Sequence, residues 1–527
     1  MVNFMDSRPM ATAMIGTASN AFHRCTPYVF GTIALLLVWQ TVNVLLVSRP
    51  SIGGVDFYFY VLNARDLADG PAYAPWARYI YFPGIYRFWE TVFRLTDGTL
   101  PSLQWAYLGI LLVNAGLVGI ILMTSVTSWW GGLLGSAAYL VFMHRLEGLS
   151  GSTEPIATVP FLIGLLLWNL CERHSHKTAG LLCLSLACGI CLFVKQQAGL
   201  LMLGMTALIF VPSQRDQSLL NRFVDFAVVA IGTAATFVLA MWLDGGGWAA
   251  VRMGLAFAAG YTTQGVWLDH VSGLWGAAQP LSSVFLLAVV VWISVAALPK
   301  AREAAALIDM RLLGVTTFST LAGLLQFSRR GYLHYGLLVL PCAILAVSYA
   351  IKVGLDASRS VIAYWAPVQR MLPITALLIV LLVFVPGAGS DILGFSWLPD
   401  AVPSAAITAP SSPQLAALCA KLKPDSFLLI IPARHNKVHW ACRTKTIGLP
   451  LGYGWENLQN DAYLAALKNR DVSQVLLFRS DGSPTGGNLS LLTSSATLAH
   501  YLLESGFVQS VTYDDATLYQ QIPRVIP

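Results

Sequence analysis

The sequence is poor in charge: 11% of its 527 residues are Asp, Glu, Lys or Arg, while 56% are hydrophobic. A soluble globular chain carries about 25% charged residues, so this chain has too few to cover a water-facing surface of its size. The mean hydropathy of +0.64 agrees. These values argue against a soluble enzyme, a disordered protein, a coiled coil and a nucleic-acid binder, and they favour a polytopic membrane protein.

The sequence also lacks several short signatures of known chemistry. It contains no P-loop, no Gly-rich dinucleotide fingerprint and no H-E-x-x-H, so nucleotide-driven transport and zinc proteolysis have no support. Eight cysteines are present, and most lie in or beside apolar stretches, where Cys acts as a small apolar residue. Cys419 and Cys442 share the C-terminal region and would form a disulfide in an oxidising compartment.

Apolar runs long enough to cross a bilayer, which takes about 20 residues, recur between residues 28 and 386. The first, 28–47, has no charge and follows a short segment with Arg8 and Arg24, which predicts an uncleaved signal anchor after a cytoplasmic N-terminus, 1–27. Ten further spans are predicted at 103–124, 129–143, 154–171, 178–194, 197–212, 223–243, 281–298, 312–327, 332–351 and 371–386. Two of them, 129–143 and 197–212, are short.

Basic residues predict the orientation of these eleven spans. With the N-terminus in the cytoplasm, one set of basic residues falls on the inner side, as the positive-inside rule requires. Its members are Arg173, Lys177, Arg215, Arg222, Lys300, Arg302, Arg311, Lys352, Arg359 and Arg370. The odd number of spans then leaves the C-terminus and a long first loop, 48–101, on the outer side.

Residues 387–527 differ from the rest in composition, with ten basic and ten acidic residues. Strand-like runs (426–431, 475–479 and 507–521) alternate with helix-like runs (414–422, 462–469 and 496–505). The mixture predicts a small extracytoplasmic α/β domain over 414–527, preceded by a Pro/Ser/Ala-rich linker, 387–413. Within this domain the polar–aromatic cluster that includes His439 and Trp440 is interpreted as a solvated loop, with contact to an acceptor as the alternative.

The first outer loop has the most informative pattern. From Asp56 to Ala68, polar residues interrupt apolar positions at helical spacing, which predicts a helix lying on the membrane surface. Eight aromatic residues follow between Tyr73 and Trp89. An interfacial aromatic belt explains them, and the alternative is that some of the rings, Trp76 and Tyr81 among them, contact a sugar or line a lipid groove.

Ionisable residues cluster at the predicted outer ends of the spans. Charges near hydrocarbon cost a few kcal/mol each unless paired or hydrated, so they tend to mark functional sites. Asp56 is suited to act as a general base or a metal ligand, and Lys195 to neutralise a phosphate leaving group. The full outer set, predicted to share one cavity, is Asp56, Glu147, Glu154, Lys195, Arg329, Arg330 and His334.

Four segments appear in a recognisable order: Gly54-Val55-Asp56 after the first span, then 81–86, 193–197, and 332–335 leading to Leu340-Pro341. Together they resemble the GT-C class of membrane glycosyltransferases, in particular the branch that contains protein O-mannosyltransferases and lipid A aminoarabinose transferases. The resemblance covers residues 28–386. It implies a GT-C-like transmembrane domain whose site opens on the periplasmic or luminal face.

The resemblance also implies roles for individual residues. Asp56 takes the position of the catalytic acidic residue of the first outer loop, and Glu147 or Glu154 that of a second acidic residue. The basic residues that hold the lipid phosphate map onto Lys195, Arg329 and Arg330. The chain departs from the aminoarabinose transferases before the Pro-rich segment, where Tyr81 and Phe82 replace an acidic–basic pair and Arg78 is the nearest basic substitute.

The sequence thus favours a glycosyltransferase of the hexosyl or pentosyl class in a bacterial inner membrane. It would move a sugar from a polyprenyl-phosphate donor to a glycan, lipid or protein acceptor, with Mg²⁺ or Mn²⁺ at Asp56 as a candidate cofactor. His334 and Tyr335 join Trp76 and Tyr81 as predicted substrate contacts. The alternatives are a transporter or flippase of lipid-linked sugars and a non-catalytic envelope assembly subunit. Nearly uncharged spans favour the enzyme, because transporters usually carry polar groups near the midplane.

Overall fold

The computed structural model describes 52–53, 55–69, 82–126, 129–146, 148–212, 218–245, 307–330, 335–361, 413–424, 426–431, 437–446, 474–478, 507–512 and 516–521, with isolated positions at 28–49, 248–255, 472 and 505. The predicted N-terminal segment 1–27, the spans 281–298 and 371–386, and all of the linker 387–413 except its last residue lie outside these residues. Most of the first predicted span does so as well.

The described part that precedes residue 362 is helical. Two shorter helices of the first outer loop come first, and longer apolar helices follow. Their bounds are α1 Val55–Asp69, α2 Gly84–Leu95, α3 Leu100–Val126, α4 Trp129–Arg145, α5 Glu154–Arg173, α6 Lys177–Val194, α7 Leu219–Leu243, α8 Leu307–Arg330 and α9 Gly336–Val361.

Within the described ranges, five helices are long and apolar enough to cross a membrane: Leu100–Ser125, Glu154–Arg173, Lys177–Val194, Leu219–Leu243 and Gly336–Val353. Each coincides with a predicted span. The short predicted span 129–143 is the 17-residue helix α4, and 312–327 lies within α8. The other short one, 197–212, is a succession of α and 3₁₀ turns, Gln196–Phe210. The total of eleven spans stays a prediction.

Helices α5 and α6 form an antiparallel hairpin that positions the site. The turn between them takes three residues, and Ser175 adopts a left-handed φ of 62° there. The backbone N–H of His176 closes the turn by donating to the carbonyl of Cys171 at 2.8 Å. Such a short connection leaves the two helices side by side. The first residue of α5 and the residue after α6 therefore lie at the same end of the bundle.

Helices α1 and α2 are packed more deeply than a surface helix and an aromatic belt would be. Every residue from Phe57 to Ala64 is buried, not only the predicted apolar face. Tyr86 and Trp89 of α2 are fully buried too, and the Trp89 ring stacks on Tyr107 of α3 at 6.4 Å. The interfacial-belt interpretation is therefore wrong for these two rings. They join α1 and α2 to the apolar core, because the Trp89 ring lies 5.4 Å from Phe57 and the Tyr86 ring 6.4 Å from Phe59.

The C-terminal region contains a five-stranded sheet in the order β2-β1-β3-β5-β4. Strands β1, β2 and β3 are parallel to one another, whereas β5 is antiparallel to both β3 and β4. The predicted run 507–521 is a hairpin of two strands. The elements are α10 Pro413–Lys421, β1 Phe427–Ile431, α11 Lys437–Ala441, β2 Lys445–Thr446, β3 Gln474–Phe478, β4 Phe507–Thr512 and β5 Ala516–Gln521. A disulfide joins Cys419 to Cys442.

Candidate active site

A buried ion pair between Lys195 and Glu154 forms the centre of the candidate site. The Lys195 ammonium donates to Oε1 of Glu154 at 2.5 Å, with the two side chains 5% and 1% exposed. The same ammonium donates to Oγ1 of Thr153, also at 2.5 Å. It lies 5.5 Å from the centre of the Tyr335 ring, within the range of a cation–π interaction. Three residues predicted independently to line the site are thus brought together.

Local backbone structure explains why these charges lie here. Glu154 is the first residue of α5, followed by Pro155, and both are favoured at a helix N-terminus. Lys195 follows the last residue of α6 in an extended conformation, and a cation is favoured at a helix C-terminus. Thr153 makes no side-chain cap bond to α5. Its hydroxyl is used for Lys195 instead, so the helix end and the ion pair share one polar group.

The start of α1, which carries Asp56, is tied to the loop before Glu154. The backbone N–H of Gly53 donates to the carbonyl of Leu149 at 3.4 Å. Gly151 has a φ of +76°, and a Cβ atom there would lie 2.4 Å from Cβ of Phe57. Only glycine fits this close approach of backbone to ring. Asp56 therefore belongs to the helical turn that packs on the approach to Glu154, although its side chain lies outside what the structure describes.

Several buried polar atoms near this centre have no hydrogen-bond partner among the described residues. They are Trp89 Nε1, Tyr139 Oη, Ser150 Oγ and Gln197 Oε1. Ser150 lies four residues before Glu154, and Gln197 two residues after Lys195. Buried polar groups are normally satisfied by protein or by ordered water. These atoms are therefore suited to bind water or a polar ligand close to the ion pair.

The remaining predicted site residues are placed only in part. Arg329 and Arg330 are the last residues of α8, five or six positions before Tyr335, and their side chains lie outside what the structure describes. The end of α8 is nevertheless close in sequence to Tyr335, which contacts Lys195. Outside the described residues altogether are Trp76, Arg78, Tyr81, Glu147 and His334.

A second buried charge network occupies the other end of α5, about 30 Å away at 1.5 Å per residue. Arg311 of α8 is fully buried between Glu172 and Asp225, with its ion pair to Asp225 at 3.1 Å. The remaining pairs are Arg173–Asp309, Lys177–Asp225 and Lys352–Asp309. The positive-inside rule predicts that the four basic residues lie together on one side. Their acidic partners Glu172, Asp225 and Asp309, which lie on α5, α7 and α8, were not predicted.

The residues whose side chains are described contain no group of three or more His, Cys, Asp or Glu that could hold a metal ion. At the centre of the site, the carboxylate whose position the structure describes is that of Glu154, and it is paired with Lys195. These residues do not by themselves fit a divalent cation. A metal at Asp56 stays a prediction.

Comparison with solved structures identifies the fold. The crystal structure of ArnT from Cupriavidus metallidurans, a lipid A aminoarabinose transferase bound to undecaprenyl phosphate, superposes with a TM-score of 0.53. The match covers 93% of this chain and 98% of that one, at 12% identity. The chain has a GT-C fold. An Archaeoglobus fulgidus oligosaccharyltransferase in complex with Zn and sulfate matches at a TM-score of 0.46, 12% identity, and 93% and 73% coverage. No family model and no curated sequence matches the chain.

The GT-C fold agrees with the resemblance drawn from the four sequence segments. Because the identity is so low, the similarity establishes how the helices are arranged and leaves the chemistry to the residues of this chain. Here the fold places Glu154, Lys195 and Tyr335 at one end of the bundle and the Arg311 network at the other.

Proposed function

We propose that the chain is a membrane-embedded glycosyltransferase that moves a sugar from a polyprenyl-phosphate donor to an acceptor on the outer face of the membrane. The observation that carries this proposal is the buried Lys195–Glu154 pair at one end of a GT-C-fold bundle. The binding of undecaprenyl phosphate by ArnT, which has the same fold, supports a donor of this kind. The sugar and the acceptor are left unspecified.

Lys195 is proposed to stabilise the leaving phosphate. In the transfer, the bond between the anomeric carbon and the phosphate oxygen breaks, and its electron pair stays on the phosphate. A cation with little water around it stabilises that charge strongly, because the local dielectric constant is low. In the absence of donor the Glu154 carboxylate provides the counter-charge. The incoming phosphate would compete for the same ammonium, and the polar atoms around it would take up the displaced bonds.

Asp56 is proposed as the general base. The acceptor oxygen forms the new bond to the anomeric carbon from the side opposite the phosphate, so the transfer inverts the configuration. Its proton passes to the Asp56 carboxylate. Glu154 and Glu147 are the secondary acidic residues of this scheme, the first through its hold on Lys195.

The remaining predicted residues complete the proposal around the donor. Arg329, Arg330 and Arg78 would add positive charge around the phosphate, which Arg binds well through its planar, multiply donating head group. Trp76, Tyr81, His334 and Tyr335 would contact the sugar or the acceptor. If Asp56 holds Mg²⁺ or Mn²⁺, the metal would supply charge stabilisation at the same place.

The proposed arrangement in the membrane follows from the two charge clusters. The Arg311 network contains Arg173, Lys177 and Lys352, which the positive-inside rule assigns to the cytoplasm. The Lys195–Glu154 centre would then face the periplasm of a bacterial inner membrane. We propose the same side for the C-terminal region, 414–527, which contacts α1. The transmembrane domain, 28–386, would contain eleven spans.

The direct test is to incubate the purified full-length chain in lipid nanodiscs with labelled polyprenyl-phosphate sugars and to measure released polyprenyl phosphate. Lys195→Ala should reduce transfer strongly. Lys177→Ala is the matched control, since it removes a lysine from the ion pair with Asp225 at the other end of the bundle. Loss of a general base typically costs about 10²–10⁴-fold, so Asp56→Asn should fall in that range. Unchanged transfer by Asp56→Asn would remove the base assignment. Vesicles in which the chain flips the lipid-linked sugars without cleaving them would favour a transporter.

A further inference from the structure

The described part of the C-terminal region contacts helix α1 of the first outer loop through a short segment, residues 437–446, which we call the docking segment. It consists of α11, a turn and β2, and both elements lie against α1. Arg65 of α1 donates from Nη2 to the backbone carbonyl of Thr444 at 2.7 Å. The same guanidinium lies 5.8 Å from the centre of the Trp440 ring. That ring also lies 6.3 Å from Phe93 of α2.

The docking segment is held rigid by bonds of its own. The disulfide from Cys442 to Cys419 attaches it to α10. Nδ1 of His439 is hydrogen-bonded to Oγ1 of Thr444 at 3.0 Å, and the backbone N–H of Thr444 donates to the carbonyl of His439 at 3.1 Å. His439 is 2% exposed. The solvated-loop interpretation is therefore wrong for His439, and Trp440 packs against the core of the membrane part.

The electrostatic environment of His439 fits a segment that is closed in the folded protein. Burial, with a smaller contribution from the nearby Arg65 charge, lowers the pKa of His439 to about 3. The imidazole is therefore neutral at physiological pH, which suits a side chain packed beside a guanidinium. Among the described charged groups of α1 and the docking segment, Arg65 is the one that acts on it.

We propose that the docking segment is a positioning clamp on α1, with Arg65 as the positioning residue that sets the first turn of that helix and hence Asp56. The inference rests on the proposed function for its catalytic consequence. Arg65 lies nine residues after Asp56, about 13 Å along a helix rising 1.5 Å per residue. Over such a distance a helix moves as a rigid rod, so fixing one end against Trp440 and Thr444 orients the other.

Both ends of α1 are thereby constrained by contacts of different kinds. Its beginning packs through Phe57 on Gly151, next to the Glu154 loop. Its second half is held by a charge-assisted hydrogen bond and a ring contact, which are specific in direction. An apolar surface alone permits sliding or rotation, whereas the fork of an arginine fixes an angle. The contacts of the clamp therefore fix the orientation of α1, and the burial of its apolar side chains stabilises it.

The test compares hydrogen exchange of the α1 peptide with transfer kinetics in the full-length chain in nanodiscs. The variants are Arg65→Ala, Trp440→Ala and the double Cys419→Ser/Cys442→Ser. Loss of a hydrogen bond to a charged group corresponds to about a tenfold to hundredfold change in the opening equilibrium, so exchange in α1 should accelerate by that factor. The clamp also predicts a lower kcat with an unchanged KM for the lipid donor, since Lys195 is untouched.

Two controls separate the clamp from a general loss of structure. Arg94→Ala removes an exposed arginine from Glu90 of α2, which keeps its ion pair with Arg87, and should leave both readouts unchanged. Trp440→Phe keeps a ring over Arg65 and should restore most of what Trp440→Ala loses. Because Arg65 and Trp440 act through one contact, their double alanine variant should be less than additive.

Exchange in α1 that stays at the wild-type rate in all three variants would overturn the clamp. So would faster exchange with an unchanged kcat, because α1 would then be loosened without consequence for Asp56. If the wild-type chain transfers no sugar from any lipid donor, the proposed function fails. The clamp is then judged by exchange at residues 55–58 alone, where wild-type rates in the variants would refute it.

Discussion

Removing one partner of the Lys195–Glu154 pair should lower the free energy of unfolding by more than removing both partners. The pair is almost completely buried, and the charged atoms are 2.5 Å apart. Breaking a buried ion pair from one side leaves an uncompensated charge and typically costs about 3–5 kcal/mol in the free energy of unfolding. Lys195→Met should reach this range, because the Glu154 carboxylate then loses its counter-charge. Glu154→Gln should cost less, because Thr153 and the Tyr335 ring continue to contact the ammonium.

The double variant Lys195→Met/Glu154→Gln should recover part of the loss, with a coupling energy of about 2–3 kcal/mol. The assay is equilibrium unfolding of the purified chain in mixed micelles, followed by Trp fluorescence, for all four members of the cycle. A double variant as unstable as the sum of the singles would show that the pair is not coupled. The same proteins test function, because Glu154→Gln should bind undecaprenyl phosphate more tightly than the wild type if phosphate competes for Lys195.

Three further predictions concern other parts of the chain. Gly151→Ala should lower the free energy of unfolding by about 2 kcal/mol, because an alanine there would have a strained backbone and would overlap with Phe57. Thermal unfolding measures this loss. Gly245 is the control: its φ is also positive, at +77°, but the space around it is open, so Gly245→Ala should be less destabilising. Because His439 is neutral in the fold with a pKa of about 3, against 6.5 when unfolded, protonation of the unfolded chain lowers the free energy of unfolding by about 1.4 kcal/mol per pH unit as the pH falls from 6.5 to about 3; His439→Gln should flatten this dependence in proteolysis assays of the C-terminal region. Arg311→Leu removes the ion-pair partner of Glu172, whose side chain is 8% exposed, and leaves Asp225 with Lys177, and it should lower the free energy of unfolding by about 3–5 kcal/mol; a smaller change would contradict the network.

Much of the helical part could be predicted because one requirement, a long apolar run, decides it. The predicted spans 154–171 and 178–194 differ from α5 and α6 by no more than two residues at either end. The central ion pair between Lys195 and Glu154 could also be predicted from the sequence. Two spans joined by a short turn must be antiparallel, so the first residue of one and the residue after the other lie together. That reasoning brings Glu154 close to Lys195.

Contacts between distant parts of the chain could not be predicted in this way. Nothing local to Arg65 indicates that its partner is a carbonyl 379 residues further on. The aromatic residues of α2 likewise have the composition of an interfacial belt, and their burial depends on contacts with α1 and α3 that the local sequence does not indicate. Asp225 and Asp309 were not predicted, because the orientation rule depends on basic residues alone. Their partners depend on which helices are neighbours.

The network around Arg311 has a consequence for how the chain is made. Helices α5, α6 and α7 emerge from the ribosome before α8, so Glu172 and Asp225 enter the membrane before the arginine that will lie between them. Until α8 arrives, the earlier helices hold two acidic groups with an incomplete set of counter-charges. The late helix carries Arg311, which completes the network between those carboxylates. We therefore expect the first half of the bundle to form the surface on which the second half packs, so that the helices assemble in the order of the chain.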